Sequence, residues 1–171
     1  RKVLLFLGSG RGQVAKIAFV SLGCPKNLVD SEVMLGMLRR AGHSLTVDKN
    51  EADIIVVNTC SFIEDSKKES IETILQSAEL KKNGACRRLI VTGCLAERYP
   101  KEIQSDLPEV DAILGTNQIE QITAAVSGET IPLPASYGRN NGYLYLYDHT
   151  TPRLLATPSY TAYMKISDCL L

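Results

Sequence analysis

Asp53-Ile54-Ile55-Val56-Val57-Asn58 is an unbroken apolar run held between two polar residues. A strand with water on one face alternates apolar and polar side chains. A strand covered on both faces has no such need. The run therefore predicts a central strand with helices above and below it. The rest of residues 16–126 arranges itself around this element.

Upstream, Lys16 to Leu22 (KIAFVSL) is a short β-rich run ended by Gly23. A helical pattern follows from about Lys26 to Arg40, with Val29, Val33 and Met37 at fourfold spacing and Leu28, Leu35 and Leu38 beside them. Gly42 stops it, as glycine commonly does after a helix. Ser44 to Val47 predicts a short strand. Its connection to the run at 53–58 is tight for a parallel crossover. The two strands are therefore expected to lie apart in the sheet, or the first to be an edge piece.

Downstream comes a long helix. Ser61 with Glu64 and Ser66 with Glu69 both fit the capping-box spacing, so its first residue stays open. Ile71, Ile74, Leu75 and Ala78 are its expected buried face, and Asn83-Gly84 its end. Arg88 to Thr92 (RLIVT) predicts a strand, about Ala96 to Ser105 a helix, Ala112 to Leu114 a strand, and Gln118 to Val126 a helix. The order β-α-β-β-α-β-α-β-α, with helices long enough to cross over, predicts an α/β fold. Its sheet is mostly parallel and Rossmann- or flavodoxin-like, with helices on both faces.

The 171 residues carry 19 Lys and Arg against 19 Asp and Glu, so the formal net charge is zero. A protein gripping nucleic acid by charge would show a basic excess, so strong nucleic-acid binding is not expected. No apolar run reaches the length of a membrane span. Residues 1–15 read as a leader: Val3 to Leu7 is too short for a signal-peptide core, and the glycines at 8–12 lack the Walker lysine of a phosphate loop. A start at Arg1 indicates a piece or a processed product. Five cysteines, an odd number, favour a reducing cytoplasm with thiols or metal ligands over a disulfide framework.

Cys24, Cys60 and Cys94 each follow a predicted strand at its carboxyl end. That is the edge where open α/β sheets place ligands. Neighbouring strands lie roughly 4.8 Å apart, so the outer two cysteines would stand about 10 Å apart at the backbone. A helix N-terminus favours thiolate, the metal-binding form. Three thiolates on three loops suit a cluster with one unligated position, whereas a structural zinc site wants four ligands. Strand ends also bury structural cysteines, and spacing alone leaves both readings open. Cys86 precedes its strand and points to the opposite edge, as a structural residue. His43 and His149 are expected to be solvated, as are Lys67-Lys68 and Lys81-Lys82.

Three ordered motifs carry a resemblance. Ser21-Leu22-Gly23-Cys24-Pro25-Lys26-Asn27-Leu28-Val29-Asp30-Ser31-Glu32, then Asn58-Thr59-Cys60 with Phe62-Ile63, then Val91-Thr92-Gly93-Cys94-Leu95-Ala96-Glu97-Arg98 resemble the amino-terminal domain of the radical-SAM methylthiotransferases. The Gly-Cys-Pro-Lys-Asn form resembles the branch that modifies ribosomal protein S12; the tRNA-modifying branch, with Gln-Met-Asn there, is the alternative, as is a non-catalytic iron–sulfur or apo α/β module. The resemblance covers about residues 16–167. It implies that Cys24, Cys60 and Cys94 hold an auxiliary [4Fe-4S] cluster that carries the sulfur for methylthiolation. It implies ribosomal protein S12 as partner. Asn27, Asn58 and Thr59 would orient the cysteine loops, or serve only turns and caps.

The resemblance also implies S-adenosylmethionine and a second [4Fe-4S] cluster in a following radical-SAM domain, and a small carboxy-terminal domain beyond it. The family's Cys-x-x-x-Cys-x-x-Cys loop is absent here: Asp168 is followed by Cys169-Leu170-Leu171. The chain alone is thus expected to be inactive, and Cys169 alone cannot hold that cluster. Residues 16–128 form the expected cluster-binding domain. Residues 129–171 are the expected linker and truncated start of the radical-SAM domain. Four prolines and six of the seven tyrosines fall in that tail, which reads as a linker or wrapping arm. Tyr160 to Ser167 looks like a strand without a partner, expected to be mobile or to borrow one.

Overall fold

The computed structural model describes residues 14–134 and 147–166. Five strands form one parallel sheet in the order β2-β1-β3-β4-β5. They are β1 (Lys16–Ser21), β2 (Ser44–Thr46), β3 (Ile54–Thr59), β4 (Arg88–Gly93) and β5 (Ala112–Leu114). The helices are α1 (Pro25–Arg40), α2 (Glu64–Asn83), α3 (Cys94–Arg98), α4 (Pro100–Asp106) and α5 (Ile122–Ser127). The expected α/β class holds. So does the separation of β2 from β3: β2 is the edge strand, and β1 lies between them.

β3 is central, and all six of its residues are buried. Its pleat divides the core. Ile54 and Val56 join Ile17, Val33, Met34, Leu38 and Ile122 on the side of α1 and α5. Ile55 and Val57 join Ile74, Ala78, Leu89 and Ile103 on the side of α2 and α4. Each fully buried aliphatic side chain contributes roughly 1.5–3 kcal/mol. An unbroken apolar strand is thus the cheapest sequence for this slot, since any polar side chain would face one of two dry layers.

Pro25 sits in the first turn of α1, where its missing N–H leaves no bond unmade. Its far end closes with a His43 N–H to Leu38 O bond of 3.1 Å and a left-handed Gly42 at φ +92°. α2 begins at Glu64 without a side-chain cap, so neither capping box is used. Its buried residues are Ser70, Ile74, Ser77 and Ala78, whereas Ile71 and Leu75 are exposed. The buried stripe is turned by one position from the expected one, because Ser70 is drawn inward by the backbone of Cys60. The helix expected over 96–105 is two helices. Pro100 cannot continue the first, and Tyr99 between them is not helical. The last expected helix opens as a 3-10 turn over Ile119–Gln121.

The tail departs most from expectation. Within the described residues, 160–166 form no strand. Residues 147, 152–156 and 165 instead contact α1, while Tyr160, Met164 and Ile166 stay exposed. Arg153 donates from Nε and Nη2 to Glu32 Oε2 at 2.9 and 2.6 Å, and the Ala156 N–H donates to Glu32 Oε1 at 2.8 Å. Lys165 Nζ lies 2.9 Å from Asp30 Oδ1, which also accepts from the Tyr147 hydroxyl. A Cβ at Gly36 would stand 2.6 Å from the Pro152–Arg153 backbone, so only glycine admits this close approach. Ser167, Cys169, the leader to residue 13 and the tyrosines at 137, 143 and 145 lie outside the described residues.

Candidate cluster site at the carboxyl edge of the sheet

β1, β3 and β4 are neighbours, and their ends are level: Ser21 pairs with Asn58, and Asn58 with Thr92. Cys24, Cys60 and Cys94 therefore leave three adjacent strands at one height. Cys24 is exposed at the cap of α1, Cys60 is buried, and Cys94 opens α3 half-buried. The edge predicted from spacing is the edge observed.

Glycines let the loops meet. Gly23, at φ +89°, comes so near Cys60 that a Cβ there would lie 2.8 Å from the Cys60 sulfur. Gly93, at φ +94°, would place a Cβ 2.3 Å from Asn58 Oδ1 and 2.5 Å from the Thr59 carbonyl. Both positions need left-handed backbone and empty space at once.

Asn27, 2% exposed, sits among the loops. Its Nδ2 donates to the Leu22 carbonyl at 3.1 Å and to the Thr59 carbonyl at 2.8 Å. Its Oδ1 accepts from the Cys94 thiol at 3.6 Å. Asn58 holds the first turn of α1 by donating to Asn27 O at 2.9 Å and Ser31 Oγ at 2.8 Å. Thr59 Oγ1 donates to the Thr92 carbonyl at 2.6 Å, tying β3 to β4. Both roles expected of these residues are present: Asn27 bonds to the loops, while Asn58 supports the first turn of α1 and Thr59 links two strand ends.

Sequence reading missed Ser70, whose hydroxyl donates to the Cys60 carbonyl at 2.8 Å and accepts from the Cys60 N–H at 3.0 Å. It missed Ser31, which links α1 to Ser21 at 2.7 Å. It also missed Arg98, whose Nη1 donates to the Ser61 carbonyl at 3.1 Å. A lone buried serine at a helical core position was the only signal available. Glu97 is half-buried and accepts from the Thr116 N–H at 3.0 Å; burial pushes its carboxyl up.

Other sequence-named residues lie elsewhere. Cys86 is buried, as expected of a structural residue. Its thiol donates to the Arg88 carbonyl at 3.2 Å, and burial pushes it up. His149 is exposed. His43 is not simply solvated: its Nδ1 accepts from the Ala15 N–H at 3.2 Å, and partial burial holds it below the ordinary histidine value. Lys81 is paired rather than solvated, 2.6 Å from Asp111. The hollow of about 250 Å³ between His43, Arg87 and Arg88 opens at the amino edge, away from the three cysteines.

Among the described residues, no three His, Cys, Asp or Glu side chains converge as a ligand group for a metal ion. The donor set suits a wider body. A [4Fe-4S] cluster is met by thiolates at separate corners, and three such donors leave one iron open. Buried Thr92 Oγ1, in the same polar layer, finds no hydrogen-bond partner among the described residues. Three thiols on adjacent loops, buttressed by buried amides and hydroxyls, fit that group.

A profile described as "Uncharacterized protein family UPF0004" matches residues 16–115, a span that contains all three cysteine loops. The chain belongs to this family. It is 52% identical over 157 residues to a "Ribosomal protein uS12 methylthiotransferase RimO" of Pelotomaculum thermopropionicum, covering 90% of this chain and 34% of that protein. A protein of the same description from Solibacter usitatus is 54% identical over 153 residues, covering 90% of this chain and 32% of its own length. A third, from Desulforamulus reducens, is 50% identical over 152 residues, covering 89% and 34%. The recognition made on the three motifs is borne out. The chain spans about a third of the length of these curated relatives.

Proposed function

We propose that this chain is the sulfur-carrying amino-terminal part of a ribosomal protein uS12 (aspartate) methylthiotransferase, with Cys24, Cys60 and Cys94 as ligands of an auxiliary [4Fe-4S] cluster. The observation that carries the reading is the placement of these cysteines on three adjacent strand ends, with Asn27 bonded to all three loops. When bound, the cluster supplies an iron with an open position, where the sulfur to be methylated and transferred attaches.

The chain's own residues divide the work. Cys60 anchors from the buried side, fixed by Ser70 through both its backbone groups. Cys24 comes from the exposed side and leaves the approach to the site open. Phe62 and Ile63, which follow Cys60 in the chain, are 65% and 54% exposed. Cleavage of S-adenosylmethionine at a second [4Fe-4S] cluster belongs to a radical-SAM domain, because its three-cysteine loop is not among these 171 residues. The partners are then that domain, a carboxy-terminal domain and ribosomal protein uS12, in the cytoplasm. No helix among the described residues is long and apolar enough to cross a membrane.

The test uses the open iron. The chain is reconstituted anaerobically with iron and sulfide, reduced, and followed by electron paramagnetic resonance as methanethiol is added. The reading expects a spectrum that shifts with methanethiol in the wild type. A cluster whose spectrum ignores methanethiol offers it no open iron and defeats the proposal.

A further inference from the structure

We propose that Asn27 is a positioning residue that holds the three cysteine loops at one mutual spacing before any cluster is bound. It rests on the ligand reading of Cys24, Cys60 and Cys94 for its purpose, though not for its first test.

The side chain is buried and all its polar capacity is directed at the site. One amide proton goes to the loop that leads into Cys24, through the Leu22 carbonyl at 3.1 Å. The other goes to the residue before Cys60, through the Thr59 carbonyl at 2.8 Å. The remaining oxygen receives the Cys94 thiol at 3.6 Å. No other side chain among the described residues bonds to all three loops. An asparagine suits this place for a stated reason: it has two donors and an acceptor on one rigid plane. Aspartate of the same shape has no donor, and serine cannot span the loops.

The amide is itself held. Asn27 lies in the first turn of α1, and its carbonyl accepts from Asn58 Nδ2 at 2.9 Å and Ser31 Oγ at 2.9 Å. The bond between Ser31 and Ser21 fastens that turn to β1. A group supported this way keeps its geometry when the loops are unloaded. A site built so loses less freedom on binding than three independent loops would.

The first arm needs neither metal nor mutation. In the cluster-free chain, both Asn27 side-chain amide protons should exchange with solvent far more slowly than those of exposed Asn50, as read by nitrogen-15 NMR. Exchange as fast as that of Asn50 would overturn the proposal. The second arm compares Asn27→Ala and Asn27→Ser with Ser77→Ala, which removes a buried hydroxyl's bond to the Thr73 carbonyl within α2 without touching a cysteine loop or the support of Asn27. Losing the clasp should raise the alkylation rate of Cys94 in the cluster-free chain roughly tenfold and lower iron bound per chain. Ser77→Ala should leave Cys94 alkylation near the wild-type rate. Wild-type alkylation and iron content in a folded Asn27 variant would overturn the proposal. If the wild type itself binds no iron, the ligand reading fails while the exchange and alkylation results still decide the role of Asn27.

Discussion

Glu32 is the most telling place to perturb the fold. Its side chain is 1% exposed, and three bonds from the arm end on its two oxygens. A fourth arm contact reaches its backbone, from the Leu154 N–H at 2.9 Å. Replacing it by Gln keeps the volume and one acceptor for the Ala156 N–H, but turns an amide donor toward the guanidinium. Breaking a buried ion pair by removing one partner costs about 3–5 kcal/mol. Arg153 is 26% exposed and regains some water when the arm lifts, so about 2–3 kcal/mol is the better figure here. At 1.4 kcal/mol per decade, that is a roughly 30- to 140-fold rise in the detached population. Amide hydrogen exchange at Leu154 and Ala156 reads this directly. Arg153→Met in the same background should cost less than it does alone, since neither charge is then left unmatched. Unchanged exchange at both amides in Glu32→Gln would refute the view that the carboxylate holds the arm.

Gly93→Ala meets both a positive φ and a Cβ contact of 2.3 Å, so it should cost more than about 3 kcal/mol in chemical denaturation. Gly42→Ala, at nearly the same φ but with nothing within 4 Å, should cost only about 1 kcal/mol in that assay. Ile55→Ala, at 0% exposure in the central strand, should cost about 2–5 kcal/mol. Burial raises Glu97 above the ordinary carboxylate value, so the folded state keeps its proton where the unfolded state has released it. That contribution is whole below the unfolded value and is lost as pH rises through the folded one. A pH series of denaturation midpoints should therefore be flatter across this window in Glu97→Gln.

The central strand was legible because burial on both faces leaves a mark that needs no partner to be read. The edge position of the strand at Ser44 followed from connection length alone. That the three cysteines share one edge was legible because strand ends in a parallel sheet do. The rest failed for long-range reasons. Asp30 and Glu32 look like ordinary acidic helix positions; their partners stand at 147, 153 and 165, and no local pattern announces them. Ile71 and Leu75 are apolar at helical spacing, yet Ser70 takes the inner position because the Cys60 backbone must be satisfied. Hydrophobic periodicity ranks these residues in the wrong order, since it is blind to buried hydrogen bonds.

The central claim is that three cysteines, and not Cys86, hold one cluster. Counting iron per chain after anaerobic reconstitution tests it most directly, in the wild type and in Cys24→Ala, Cys60→Ala, Cys94→Ala and Cys86→Ala. The account predicts about four irons in the wild type and in Cys86→Ala, and loss of stable cluster in the other three. Equal iron in all five proteins, or none in the wild type, would contradict it.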